Sequence, residues 1–263
     1  MHPHLIRNPE GFPPEGYTDI TLIGENHADT GIEFGIGTLL DGQRIVTEAA
    51  REGALLLLHG EVGFHLPDGR GGTRKVMARR DSLFDEDPAC LHYPKGFPLV
   101  FEAHGDLEVA YIGVENDAWF EPMFFDGDNM LESEHRGRGQ LDDTAYRIVR
   151  TIFDIRNRPR CKLVLGEVVN FPGRWSSYPP HHHPQPEIYH YRFDKPQGYG
   201  HAELGDEVLK VRNYDTVKIL EERDHSQCAA PGYAMYYIWA IRHLSDQPYT
   251  VPEFTEDHRW LLG

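Results

Sequence analysis

Between Trp175 and Phe193 the chain reads WSSYPPHHHPQPEIYHYRF, and several of these side chains are of the kinds that bind metal ions. Along an extended backbone successive side chains alternate faces, so His181 and His183 point one way and His182 the other. Two imidazoles on one face at i and i+2 can share an ion at ~2.0–2.1 Å per Zn–N bond. The prolines at 184 and 186 turn the chain, and Glu187 opens a β-like run in which Glu187, Tyr189, Tyr191 and Phe193 share a face. A carboxylate among aromatic rings is the lining expected of an enclosed small-molecule site. A fourth ligand must come from elsewhere, and His225 in ERDHSQCAAPGY is the candidate. The competing reading is a histidine-rich surface loop stiffened by proline. His190, on the opposite face with Ile188 and Arg192, reads as packed or interfacial.

The elements that must position these residues read as strands. Runs of branched and aromatic residues, each closed by Gly, Pro, Asp or Asn, recur in the first half: DITLIG, FGIGTLL, GALLLLHGEVGFHLPDG, CLHYPKGFPLVFEAHG and LEVAYIGV. In the second half come YRIVRTIFDIRN, KLVLGEVVNFPG, EIYHYRF, DEVLKVRNYDTVKIL and YAMYYIWAIRHL. Short strands at near-regular spacing predict an all-β sandwich or barrel class. Only REGALLLL near residue 51 and the terminal EDHRWLL allow short helical turns. The polar, glycine-containing interval FFDGDNMLESEHRGRGQLDDTA predicts a linker over 126–145 between β domains at 1–125 and 146–263.

Composition narrows the function. A formal charge of −16 argues against a nucleic-acid partner, because phosphate contacts need a Lys/Arg surplus on some face. No apolar run approaches the ~20 residues that span a bilayer, and the N-terminus carries no secretory pattern. Three widely spaced cysteines do not make a disulfide framework, so a cytoplasmic protein is expected.

The segments WSSYPPHHH…EIYHYRF, APGYAMYYIWAIRHL and EDHRWLL resemble the 5-deoxyglucuronate isomerase family of inositol catabolism, related to the 5-keto-4-deoxyuronate isomerases of pectin breakdown. RRDSLFDEDPACLHYPKG and LVLGEVVNFPGRWSSYPPH extend the resemblance to nearly the whole chain. It implies a bicupin, two double-stranded β-helix (jelly-roll) barrels in one chain, with metal only in the C-terminal one. It also implies aldose–ketose isomerisation of a deoxy-uronic acid, most specifically 5-deoxy-glucuronate to 5-dehydro-2-deoxy-gluconate. The family's ligand positions match His181, His183, Glu187 and His225. The chain departs from the family at His182, where Lys is common, and at 184–186, where an acidic insert is missing. It departs again at LEERD before His225.

Such an isomerisation needs a proton removed alpha to a carbonyl, an enediolate stabilised, and the proton returned one carbon away. The candidates for moving it are Glu187, Tyr178, Tyr189, Tyr191, Tyr236 and Tyr237, with no choice among them from sequence. Arg174 is the expected cation for the substrate carboxylate. The resemblance implies zinc, while the ligand set itself suits Zn, Mn, Fe or Ni. The alternatives are an Fe(II) cupin oxygenase and a non-catalytic sugar-acid-binding bicupin. A small sugar acid is the expected partner, with no membrane, and a homo-oligomer would cover exposed β edges.

Overall fold

In the computed structural model, which describes residues 2–262, those residues form twenty strands and two short 3-10 turns, Leu141–Asp143 and Glu256–Leu262. Eight strands between Gly16 and Phe125 make the first barrel. Its two longest, Glu52–Pro67 and Pro98–Val114, pair antiparallel along most of their length. The second barrel is built from a seven-stranded and a five-stranded sheet. The larger sheet runs in the order Leu5–Ile6, Thr216–Ile219, Glu187–Phe193, Met235–Arg242, Leu163–Asn170, Arg147–Phe153, Glu134–Arg136. The chain is therefore an all-β bicupin.

Three apolar clusters explain the strand patterns. One fills the first barrel (Leu55, Leu57, Val62, Phe64, Phe101, Val109) and one the second (Tyr189, Tyr191, Val217, Ile219, Tyr237). The third lies between the barrels and takes residues from both, among them Phe34, Leu56, Ile112, Phe153, Leu165 and Ile238. Strands in contact with both an interior and the junction bury both faces, so they read as unbroken apolar runs. REGALLLL is such a case. It forms the start of the strand Glu52–Pro67 instead of a helical turn, with Leu55 and Leu57 facing the barrel interior and Leu56 and Leu58 the junction.

That strand changes face midway. Before His59 the odd residues look into the barrel, whereas beyond Gly60 the even ones (Val62, Phe64, Leu66) do. The pairing register shifts at Leu57/His59 and again at His59/Glu61, an irregularity that reverses the alternation. Gly60 has φ +95°, and a Cβ there would lie 2.2 Å from the Asp106 carbonyl oxygen.

The division predicted at 1–125, 126–145 and 146–263 is crossed at two places. Leu5 and Ile6 pair with Val217 and Thr216, so the first strand of the chain belongs to the second barrel's sheet. The predicted linker carries the strand Glu134–Arg136, paired with Arg147–Val149. Its polar sequence does not exclude pairing because an edge strand keeps one side in water.

Polar groups also fasten the barrels together. Arg80 and Glu167, both fully buried, pair through two hydrogen bonds of 2.6 and 2.8 Å, and Tyr236 Oη donates to the same carboxylate at 2.5 Å. Glu52 accepts from Asn116, from the backbone N–H groups of Lys162 and Leu163, and from His92 Nε2.

Candidate metal centre

The strand Trp175–His182 carries His181, and His183 follows one residue past its end. Glu187 opens the strand Glu187–Phe193, and His225 opens the strand His225–Ala229, where the register sets it directly opposite His181. The donor atoms of His183, Glu187 and His225 all lie within 4.8 Å of one another, and all three residues are buried. Glu187 Oε2 sits 3.2 Å from His183 Nε2 and 3.4 Å from His225 Nε2. Donors ~2.0–2.1 Å from a common ion are roughly 3–3.5 Å apart, so this spacing suits a shared cation.

The tautomers fit as well. His181 Nδ1 lies 3.2 Å from the Pro179 carbonyl, His183 Nδ1 2.9 Å from that of Gln185, and His225 Nδ1 3.0 Å from that of Arg223. A carbonyl only accepts, so each Nδ1 carries the proton and each Nε2 keeps its lone pair for a metal. The Nε2 of His225 is buried without a hydrogen-bond partner. Burial pushes the Glu187 carboxyl up, and imidazolium rings at His183 and His225, were they to take a second proton on Nε2, would outweigh it and bring its pKa down to about 2. Burial and the neighbouring His225 imidazole hold His181 well below the usual histidine range. The residues present therefore fit a divalent ion.

His181 stands slightly apart. Its ring centroid is 4.5 Å from that of His225 and 6.5 Å from that of His183, outside the compact group of three. His182 turns the other way and bonds Asp224 through Nδ1 at 2.7 Å. His190 lies at the junction against Phe34, with Nδ1 bonded to Thr216.

Beside the cluster is a cavity of about 120 Å³, lined by His181, His183, Glu187, Tyr189, Tyr237, Trp239 and Tyr249, and by Ser176 and Ser177. The Tyr237 hydroxyl lies 2.5 Å from Ser176 Oγ and 3.3 Å from Ser177 Oγ, and Tyr189 Oη lies 3.1 Å from Ser177 Oγ. Burial pushes both phenols up, so they are protonated. The segment around Thr250–Pro252 borders the cavity, and the strand Glu253–Phe254 pairs with His181 and His182.

Several sequence expectations are placed elsewhere. Tyr236 faces the junction and bonds Glu167, because adjacent strand residues point to opposite faces and Tyr237 takes the interior one. Tyr191 is interior but donates to Gln227 Oε1 at 2.5 Å and does not line the cavity. Tyr178 lines a neighbouring cleft with Pro179, His181 and Phe254. Arg174 stacks over Tyr146 and Phe171, at 5.3 and 5.4 Å from their ring centroids, away from the cavity. The cations on the cavity wall are Arg136, Arg147 and Arg156, which the sequence reading passed over. Alternation in RIVRTIF carried the signal for one of them: Arg147, Val149 and Thr151 share the cavity face.

Two barrels in one chain, with buried His183, Glu187 and His225 gathered in the second and His181 beside them, define a bicupin with a metal-type donor cluster. The KduI/IolB family model matches residues 7–261, and the chain belongs to that family. A 5-deoxy-glucuronate isomerase of Geobacillus thermodenitrificans is 25% identical over 249 residues, 88% of this chain and 86% of the relative. Among solved structures, an IolB-like protein from Salmonella typhimurium superposes with a TM-score of 0.76 at 22% identity, covering 88% of this chain and 90% of the other. Bacillus subtilis oxalate decarboxylase, described for its Mn(II) centres, superposes with a TM-score of 0.59 at 11% identity over 86% of this chain and 71% of its own. The decarboxylase likeness is one of fold. Family membership makes the chain an enzyme, an isomerase of the aldose–ketose type. Among the described residues no helix is long and apolar enough to cross a membrane.

Proposed function

We propose that the chain converts 5-deoxy-glucuronate to 5-dehydro-2-deoxy-gluconate, a step of inositol catabolism, with a divalent ion held by His183, Glu187, His225 and His181. The carrying observation is the shared tautomer: His181, His183 and His225 each spend Nδ1 on a backbone carbonyl, and the Nε2 atoms of His183 and His225 lie 3.2 and 3.4 Å from one Glu187 oxygen. Zinc is the first choice from the family resemblance, and the same donors serve Mn, Fe and Ni. The ion, when bound, would hold the carbonyl and neighbouring hydroxyl oxygens of an aldose and take up negative charge as the enediolate forms.

The protein's own groups do the rest. Glu187 is the carboxylate of the cluster that lines the cavity, and it serves as a ligand and as the group that takes the proton from the carbon beside the carbonyl and returns it one carbon away. Tyr189 and Tyr237, protonated and linked through Ser176 and Ser177, are placed to donate hydrogen bonds to substrate oxygens as charge develops on them. Trp239 and the segment 249–252 limit water at the reacting carbons. The second barrel, 146–263 completed by Leu5–Ile6, carries the chemistry, and the first, within 1–125, is architectural. The three free thiols suit a reducing cytoplasm.

The test is an assay of the purified protein against a panel of uronates and deoxy-uronates, with metal content measured on the same sample. Conversion of 5-deoxy-glucuronate that is lost on chelation and restored by added ion is the expected result. No turnover of any uronate at full metal occupancy would overturn the reading.

A further inference from the structure

A guanidinium buried without a carboxylate is costly unless something anionic visits it. The cavity beside the His/Glu cluster has three arginines on its wall, and two are already neutralised. Arg136 bonds Glu134 through Nε and Nη2 at 2.9 and 3.0 Å. Arg156 bonds Asp154 at 2.9 Å through Nε, with Nη2 at 2.7 Å. Arg147 is different. It is 7% exposed, its Nη1 donates to the Ala145 carbonyl at 2.8 Å and its Nη2 to the Tyr178 carbonyl at 3.1 Å. Its Nε is buried with no hydrogen-bond partner at all.

The sheet sets its direction. Arg147, Val149 and Thr151 alternate onto the face that lines the cavity with His183 and Glu187, while Arg150, on the other face, reaches the carbonyls of Leu83 and Phe84 at the barrel junction. The two carbonyl bonds hold the Arg147 guanidinium in place and leave Nε–H and a further Nη–H as a side-on fork. Such a fork matches the two oxygens of a carboxylate. The other acids on the wall, Asp154 and Glu187, are engaged by Arg156 and by the histidines. In a chain of net charge −16, an uncompensated local cation is what draws an anionic ligand to this spot.

We propose that Arg147 is the receptor for the carboxylate of a six-carbon monocarboxylic sugar acid, holding the end of the molecule remote from the metal cluster. This rests on the reading of the cluster given under Proposed function and adds the residue that selects acids over neutral sugars. Through the same contacts Arg147 ties the cavity wall to the strand Trp175–His182 at Tyr178, so the test must separate binding from support.

The probes are gluconate and its neutral counterpart glucitol, titrated calorimetrically into the metal-loaded protein. The unmodified protein is expected to bind gluconate more tightly than glucitol. Arg147→Met should weaken gluconate by about 10- to 100-fold, leave glucitol and metal content unchanged, and so erase the preference. Arg147→Lys should restore part of it, as a point charge without the fork. Equal affinities for gluconate in the unmodified and Met proteins would overturn the proposal, as would a parallel loss of gluconate, glucitol and metal. So would no preference for gluconate in the unmodified protein. The two readings separate cleanly. Arg147-dependent gluconate binding in a protein that isomerises nothing would sink the isomerase reading alone, and uronate turnover indifferent to Arg147→Met would sink this one alone.

Discussion

At the scale of single residues, a histidine becomes a ligand when one nitrogen is already occupied, and backbone carbonyls do this for His181, His183 and His225. Removing His183 should therefore cost more metal affinity than the ~10–100-fold typical of losing an outer partner. His182→Ala, which touches only Asp224 at 2.7 Å and lies near Glu253, should leave the ion in place. Elemental analysis of dialysed variants checks both. The two adjacent tyrosines offer a second contrast. Tyr237→Phe should lower kcat by about 10²–10⁴-fold with metal retained, whereas Tyr236→Phe should keep kcat and lose about 1–3 kcal/mol of stability, because Glu167 is left short of a donor in a dry site. Steady-state kinetics and urea unfolding measure the two effects. Alternation made the Glu187–Tyr189–Tyr191 face legible in the sequence, and the structure brings His183, Glu187 and His225 together with His181 beside them. It also contained the answer for Tyr236, since neighbours in a strand cannot both look inward. Arg174 was misplaced because it follows a turn after Asn170, where alternation no longer says which way a side chain points. Arg147 went unseen because a strand arginine ordinarily faces water.

At the scale of elements, the strands were legible and their bends were not. Period-two patterns predict where a strand runs, but the Gly60 irregularity exchanges interior and junction faces within one continuous run, and only the partner strand reveals it. Gly60→Ala should destabilise by roughly 1–3 kcal/mol from its backbone conformation alone, and the contact with the Asp106 carbonyl adds to that. Gly105→Ala, at φ +90° with open space around its Cβ position, should cost the backbone component only. Urea midpoints of the two variants, compared side by side, make the test; equal losses would mean that the close approach at Gly60 is unimportant. REGALLLL shows the same limit from another side, since a run buried on both faces has no period to read.

For the whole molecule, the barrels are joined by an apolar cluster and a buried ion pair. Arg80→Met should cost about 3–5 kcal/mol by stranding Glu167, and adding Glu167→Leu should recover much of it. A urea double-mutant cycle reads this out. The junction is also acid-sensitive. Burial holds His92 and His190 below the usual histidine range, so below about pH 6.5 the unfolded chain binds protons that the folded one refuses. Stability is full above that pH and falls below it, by up to about 1.4 kcal/mol per pH unit for each such residue. Replacing His92 with Gln should flatten the slope between pH 6.5 and 5, measured by urea unfolding. The two-barrel plan was legible from strand count and family resemblance, but the pairing of Leu5–Ile6 with Val217 and Thr216 was not, since two residues carry no pattern. That pairing makes the chain a loop closed on itself: Leu5 and Ile6 wait for an edge completed some two hundred positions later. Severing the connection at 126–145 would thus yield two fragments that still clasp each other, and neither would be expected to stand as a finished barrel on its own.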